Sequence, residues 1–336
     1  MGRRPLASVR GMRVDSLLLA GLLLVGGLGL LVVASDQMVA GAARLSSRLG
    51  IPPLLVGIII IGFGTSVPEL LVSLLAAREG VFDLGVGNIV GSNIANVLLV
   101  LGAAAVAGPV LVARTTVRRE VPLSLIGVVA FAWAVQGPLT RVEAVLLAVL
   151  LVGSLGLLIV LARRGDSSAP GLDTLDEALA DAGPEGPRVG REALRALIGL
   201  VGTLAGAQGV VLGGSALALG LGLSDAFVGL TIVAVGTSLP ELAAALQSVR
   251  RRATDLIVGN ILGSNLFNAL AVGSVVVWTG AGLGREVSPE LAGRATLLML
   301  AAVGGVSVLL ARRRIGRTGG LVLVAAYVAS VVVMAG

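Results

Sequence analysis

The sequence predicts an all-α polytopic membrane protein, with ten transmembrane helices arranged as two inverted-topology five-helix repeats. Three observations support this fold class. The mean hydropathy is +1.02 with 56% hydrophobic residues, well above a soluble globular chain. Several apolar runs reach the roughly 20 residues that cross a bilayer. Finally, one stretch of the chain occurs twice.

The duplicated stretch comprises residues 56–102 and 228–274, which align without a gap at an offset of 172 residues and agree at 23 of 47 positions. The identities fall on Gly, Thr, Ser, Pro, Glu, Asp and Asn, so shared hydrophobicity does not explain them. Each copy holds a GTS-x-PE motif followed by GN-x-x-GSN-x-x-N. We interpret the two copies as one duplicated functional element.

The order of apolar runs divides the chain into ten spans. The first run is treated as a helix, because its length and the residues that follow do not fit a signal peptide. A loop is expected at 41–50. The polar stretch 163–195 is rich in Gly, Pro, Asp and Ala and reads as a linker. The predicted spans are 16–34, 53–77, 83–107, 121–135, 142–162, 196–222, 227–249, 256–279, 291–311 and 319–335.

These spans define a first repeat at 1–162, the linker 163–195 and a second repeat at 196–336. Five spans per repeat force the second repeat to enter the membrane from the opposite side. A cytoplasmic loop after the first span places 17 of the 25 arginines inside, as the positive-inside rule requires. We therefore expect a multi-pass protein of a prokaryotic inner membrane with a cytoplasmic linker. Four N-terminal arginines fall outside, and a translation start at Met12 would remove three of them.

The composition excludes several classes of function. The chain has no Cys and no His, which removes disulfides, thiol chemistry, imidazole ligands and the usual general base. All basic residues are Arg, and cytoplasmic loops account for their excess better than a nucleic-acid partner does. We expect no enzyme, no cofactor and no nucleic acid; the bilayer is the expected surrounding. The oligomeric state is left open.

The GTS-x-PE motifs place Glu69 and Glu241 within apolar spans. An ionisable residue at membrane depth costs on the order of 3 kcal/mol and is by default a functional candidate. Pro68 and Pro240 lack an N–H and free backbone carbonyls one turn earlier, which are tolerated only beside protein or a hydrated site. A proline kink satisfied by hydroxyls is the simpler interpretation, but it does not explain a Glu in both copies.

Together the two copies supply carboxylates, amides, hydroxyls and carbonyls, all of them hard oxygen donors. This set suits Ca²⁺, and Na⁺ equally. Two Glu carry a charge of −2, which balances one Ca²⁺ or two Na⁺. Competition between these ions for one set of oxygens is the physical basis of an exchanger.

The GN-x-x-GSN-x-x-N motifs combine packing with polarity. Their glycines lie four apart, the small-xxx-small pattern of close helix contact. The Ser and the final Asn of each motif also lie four apart, hence on one helix face. Asp83 and Asp255 repeat near helix N-termini and are interpreted as caps or entrance charges. The glycines are Gly87, Gly91, Gly259 and Gly263.

These motifs, GTSVPE…GSNIAN and GTSLPE…GSNLFN, resemble the two α-repeats of the cation/calcium exchanger superfamily, in particular its prokaryotic sodium/calcium exchanger-like members. The resemblance extends over the ten-span layout and implies a Na⁺/Ca²⁺ antiporter that works by alternating access at a midplane site. By this resemblance the acidic ligands are Glu69 and Glu241, and the amide ligands are Asn96 and Asn268. The hydroxyl and carbonyl ligands it implies are Thr65, Ser66, Ser92, Thr237, Ser238, Ser264, Gly62 and Ala234.

Some family members carry Asp at the position of Asn268, so this chain lacks a possible third carboxylate and leans towards Na⁺ without K⁺. The linker is too short for a calcium-sensing regulatory domain. Two alternatives stay open from the residues. Proton-coupled exchange of Ca²⁺ or another divalent cation is possible if both Glu carry protons. A cation channel is the other, and central breaks in inverted repeats favour alternating access over it.

Overall fold

A computed structural model of the protein describes residues 17–80, 82–163, 189–221, 234–284 and 286–335, which are mostly helical. The helices of the first half are α1 Leu17–Leu49, α2 Pro53–Thr65, α3 Val67–Arg78, α4 Phe82–Ala107, α5 Arg114–Arg118, α6 Glu120–Ala134 and α7 Arg141–Arg163. Those of the second half are α8 Val189–Gly220, α9 Ala234–Thr237, α10 Leu239–Arg250, α11 Thr254–Gly282, α12 Leu291–Leu310 and α13 Arg317–Ala335. Two short strands, β1 Val110–Leu111 and β2 Arg314–Ile315, pair antiparallel.

Seven helices in these described ranges are long and apolar enough to cross a membrane, and the bent pair α2 and α3 makes an eighth. This confirms a helical multi-pass fold. The span predicted at 121–135 corresponds to α6, which has only 15 residues. The span predicted at 227–249 begins outside the described residues and continues as α9 and α10. The count of ten stays a prediction.

The first span was predicted to end at residue 34, before a loop at 41–50, and this was wrong. Helix α1 continues to Leu49. Its polar residues do not end the helix because they have partners: Asp36 forms an ion pair of 2.7 Å with Arg251, and Gln37 accepts a hydrogen bond of 2.9 Å from Arg195. Asp36 is thus an interhelical partner, not a span-end charge.

The linker predicted at 163–195 is shorter than expected on its second side. Helix α8 begins at Val189, so residues 189–195 are helical. Glu192 in its first turn is buried and lies 3.6 Å from Arg44 of α1. The rest of the predicted linker, residues 164–188, lies outside the described residues.

Helices α1 and α8 pack closely and antiparallel along a row of glycines. A Cβ at Gly41 would lie 2.6 Å from the backbone nitrogen of Ala196, and a Cβ at Gly213 would lie 2.5 Å from that of Leu24. These two contacts are equivalent, because adding 172 to Gly41 and subtracting 172 from Ala196 gives Gly213 and Leu24. The same relation connects the pair Gly27 and Val210 with the pair Gly199 and Met38.

Helix α2 packs in the same intimate way on α11. A Cβ at Gly263 would lie 2.6 Å from the carbonyl oxygen of Ile58, and one at Gly62 would lie 2.9 Å from that of Asn260. Gly259 also faces the α2 backbone, at Gly57. The small-xxx-small interpretation is therefore confirmed for Gly259 and Gly263. This contact brings the broken segment of the first half against the amide-rich helix of the second.

The outer surface is apolar. Side chains such as Leu18 of α1, Val152 of α7 and Val332 of α13 are exposed. A broad apolar surface of this kind is unstable in water and fits a lipid environment. The interior core lies mainly among α4, α6, α11 and α12, where Phe131, Ile94, Leu270 and Met299 are fully buried.

Candidate functional site

The two acidic residues of the repeated motifs occupy equivalent positions next to helix breaks. Ser66 separates α2 from α3, which meet at an angle of 43°, and Ser238 separates α9 from α10. Pro68 and Pro240 lie at the starts of α3 and α10, where a missing N–H is tolerated. Glu69 and Glu241 therefore fall in the first turns of these helices, where the helix dipole favours a negative charge.

Both carboxylates are buried, each with 1% of the side chain exposed. Glu241 accepts a hydrogen bond of 3.1 Å at Oε1 from the Ser66 hydroxyl, so the second motif is joined directly to the first. Ser92 lies beside the Glu69 carboxylate. The Oε2 atoms of both Glu are buried without a hydrogen-bond partner among the described residues. A buried carboxylate oxygen without a partner is unfavourable unless a cation or a proton completes it.

The hydroxyls of the motifs direct their hydrogens towards carbonyl oxygens. Thr65 donates to the carbonyl of Ile61 at 2.9 Å, and Ser264 of α11 donates to the carbonyl of Gly62 at 2.9 Å. A hydroxyl that donates its hydrogen keeps its oxygen lone pairs free to accept. The oxygens of Thr65 and Ser264 are consequently suited to a cation. The Gly62 carbonyl, expected as a ligand, is engaged by Ser264 in this conformation.

Two asparagines that the sequence analysis did not select hold the Glu backbones in place. Asn88 donates to the carbonyl oxygen of Glu69, and Asn260 donates to that of Glu241, each at 3.2 Å. These bonds are equivalent under the offset of 172 residues. The signal was present in the sequence, because both Asn belong to the GN pair that is identical in the two motifs.

The amide pair expected from the motifs, Asn96 and Asn268, is also buried, each at 1% exposure. Each begins a π-helical turn, Asn96–Val100 and Asn268–Val272, in α4 and α11. Such turns widen a helix locally and recur at functional sites. The Oδ1 atoms of both residues are buried without a hydrogen-bond partner among the described residues.

The remaining expected ligands are placed less completely. Ser92 is buried on α4, and Ser238 is buried in the break before α10. Thr237 ends α9. Ala234 begins α9 directly after the undescribed residues 222–233, so its carbonyl has no described environment beyond the helix start.

The repeated aspartates make different contacts. Asp83 lies in the first turn of α4 and accepts a hydrogen bond of 3.0 Å from the backbone N–H of Ser288. Asp255 lies in the first turn of α11 and is 9% exposed. Both positions agree with the interpretation as helix-start charges.

The donors gathered at the breaks are all oxygens. In the described part of the chain, no group of three or more His, Cys, Asp or Glu side chains comes together, so the charge is carried by Glu69 and Glu241 alone. Two carboxylates surrounded by neutral hydroxyl, amide and carbonyl oxygens are the environment of a hard cation.

Comparison with known proteins agrees with this chemistry. The family described as sodium/calcium exchanger protein matches residues 19–160 and 193–336. The putative antiporter CaxA of Alkalimonas amylolytica is 37% identical over 317 residues, 93% of this chain and 97% of that protein. The inner membrane protein YrbG of Escherichia coli is 40% identical over 261 residues, 76% of this chain and 78% of that protein.

A solved structure has the same fold. The sodium-calcium exchanger NCX_Mj, soaked with zero Na⁺ and Ca²⁺, superposes with a TM-score of 0.80 at 26% identity, covering 94% of this chain and 99% of that one. The family match covers most of the sequence and both copies of the repeated motif. This chain therefore belongs to the sodium/calcium exchanger protein family.

Proposed function

We propose that this protein exchanges Na⁺ for Ca²⁺ by alternating access at a midplane site. The site is formed by Glu69 and Glu241 with amide, hydroxyl and carbonyl oxygens around them. One observation carries the proposal: two equivalent buried Glu, one from each half, are joined through Ser66, and each keeps a buried oxygen without a described partner. The family of the chain supports the identity of both ions.

The charge of the site explains why the two ions compete. Two carboxylates carry −2, which one Ca²⁺ or two Na⁺ neutralise. An unneutralised pair of buried charges is strongly unfavourable, so the empty site resists closure. Only the loaded site changes sides readily, and the fluxes of the two ions are thereby coupled.

Alternating access follows from an inverted-repeat architecture, which we also propose for this chain. The paired contacts of α1 and α8 and the matched bonds of Asn88 and Asn260 support it, because each contact has a counterpart 172 residues away. Breaks near the centre of opposed helices are typical of transporters that bind ions at the repeat interface.

The proposal is tested by ⁴⁵Ca²⁺ uptake into proteoliposomes loaded with Na⁺, with choline inside as the control and with an imposed pH gradient as a third condition. We expect uptake only with an outward Na⁺ gradient, and no effect of K⁺ on either side. Uptake that follows the pH gradient and ignores Na⁺ would establish proton-coupled exchange. Uptake that needs no counter-ion would establish a channel.

Asp83→Asn should reduce Ca²⁺ transport by less than about threefold, because Asn keeps a side-chain oxygen for the N–H of Ser288 and one neutral hydrogen bond is worth little. Initial ⁴⁵Ca²⁺ uptake rates, normalised to the amount of reconstituted protein, measure this. A transport-dead Asp83→Asn protein with normal thermal stability would make Asp83 a ligand and overturn the assignment.

The orientation of the chain is open to a direct experiment, because the chain has no native cysteine. We propose an inner-membrane location with residues 163–195 in the cytoplasm. A Cys at Ser168 should react with an impermeant maleimide only in inverted vesicles. A Cys at Gly137, which is exposed between α6 and α7, should react only in right-side-out vesicles. The reverse pattern would invert the proposed topology.

A further inference from the structure

Four asparagines meet at the crossing of α4 and α11: Asn93, Asn96, Asn265 and Asn268. All are buried, with exposures of 0% for Asn93 and Asn265 and 1% for the other two. Asn265 approaches the backbone carbonyl of Asn93 at 3.5 Å, and these two residues are equivalent under the offset of 172. The operation that exchanges the two halves therefore exchanges Asn93 with Asn265, and Asn96 with Asn268.

The hydrogen bonds of this cluster do not obey that equivalence. Asn96 donates from Nδ2 to Oδ1 of Asn265 at 3.1 Å. The equivalent bond would run from Nδ2 of Asn268 to Oδ1 of Asn93. Both of those atoms are instead buried without a partner among the described residues, as is Oδ1 of Asn268. One candidate ligand amide is held, and its counterpart is not.

The alternative bond has its donor and acceptor in place. Asn93 donates its own Nδ2 to the carbonyl of Ile89 at 2.8 Å, which fixes the amide and leaves Oδ1 as the available acceptor. Asn268 has a donor to offer. The same residue types stand on both sides, so the observed arrangement and its exchanged counterpart are chemically equivalent, as a two-state element requires.

We propose that Asn93 and Asn265 are positioning residues that hold the two ligand amides in alternation. In the observed state Asn265 fixes Asn96 and leaves its Oδ1 free for the ion. In the exchanged state Asn93 fixes Asn268, and Asn96 is released. The proposal rests on the alternating-access function proposed above, and it assigns the two amides of the site to different halves of the cycle.

The test compares Asn265→Leu with Asn93→Leu, since Leu is close in volume and removes the hydrogen bond without opening a cavity. The KM for Ca²⁺ is measured in right-side-out and in inverted vesicles. Each substitution removes a bond from only one state, so it shifts the population between states and hence the ratio of the two KM values. We expect shifts of about threefold to tenfold in opposite directions for the two variants, as one buried hydrogen bond allows.

The double variant Asn93→Leu/Asn265→Leu should return the KM ratio towards that of the unsubstituted protein. A merely structural role would instead raise both KM values together in each variant and leave the ratio unchanged. That outcome, or an unchanged KM at both faces, would overturn the proposal.

A second readout does not depend on transport. With a single Cys at Ser66, maleimide labelling from each face reports which state is populated, and the two Leu variants should shift labelling in opposite directions. Equal labelling patterns would overturn the proposal even if the variants are transport-dead. If the unsubstituted protein shows no exchange, the proposed function itself is wrong. If it exchanges and the variants do not differ, only the positioning role is wrong.

Discussion

Glu69→Gln and Glu241→Gln should each lower Ca²⁺ transport by about two to three orders of magnitude. Each substitution keeps the size of the side chain and removes one of the two charges at the site. Removing one member of a buried charge arrangement costs about 3–5 kcal/mol, and about 1.4 kcal/mol corresponds to a factor of ten. Initial rates of Na⁺-driven ⁴⁵Ca²⁺ uptake in proteoliposomes measure the loss.

The charge argument makes a sharper demand on selectivity. A site with one carboxylate still balances one Na⁺ but no longer balances Ca²⁺. Exchange of ²²Na⁺ for Na⁺ should therefore fall less than Ca²⁺ transport in both variants. Equal losses of the two activities would assign the Glu residues to folding or to movement rather than to ion binding.

Glu79→Gln is the matched control for these variants. Glu79 follows the last turn of α3, on the same helix as Glu69, and its side chain is exposed. The substitution removes the same charge from the chain without touching the buried site, so transport should stay within about twofold of the unsubstituted protein. A large loss with Glu79→Gln would show that net charge, and not the site, governs the rate.

The sequence was sufficient for the fold class and for the centre of the candidate site because both leave local signals. Long apolar runs indicate helices in a membrane, and a Glu within such a run has few explanations other than function. The repeat then doubled the information, since Glu69 and Glu241 identify one another. The structure places both in buried first turns next to equivalent breaks.

What the sequence did not give depends on tertiary partners. The end of α1 was misjudged because Asp36 and Gln37 resemble a span end until Arg251 and Arg195 are seen to pair with them. The roles of Asn88 and Asn260 were missed for a similar reason. A side chain that bonds to a backbone carbonyl on another helix leaves no periodicity that reveals its partner.

The second large effect is expected from a single methyl group at Gly263. This residue lies on α11, where a Cβ would come within 2.6 Å of the carbonyl oxygen and 2.7 Å of the Cα of Ile58. Both are backbone atoms of α2, so no side-chain rotation relieves the overlap. Gly263→Ala therefore forces α2 and α11 apart, and overpacking of this kind costs about 1–3 kcal/mol.

The displacement has a functional consequence as well as an energetic one. Helix α2 leads directly into the break at Ser66, and the residue after Gly263 is Ser264, which bonds to the Gly62 carbonyl at 2.9 Å. Separation of the two backbones lengthens that bond and moves Thr65 away from α11. We expect a lower thermal unfolding temperature in detergent and a loss of Ca²⁺ transport by about tenfold or more, because ion coordination tolerates little displacement.

Gly156→Ala provides the comparison. Gly156 is exposed on α7, and no described atom lies within 4 Å of the position its Cβ would take. Ala is also the better helix former by about 1 kcal/mol, so this variant should be at least as stable as the parent and should transport normally. If Gly263→Ala behaves like Gly156→Ala, the close contact of α2 with α11 does not set the geometry of the site. If only Gly263→Ala fails, the packing of glycine against backbone is what holds the ligand oxygens of the two halves in register.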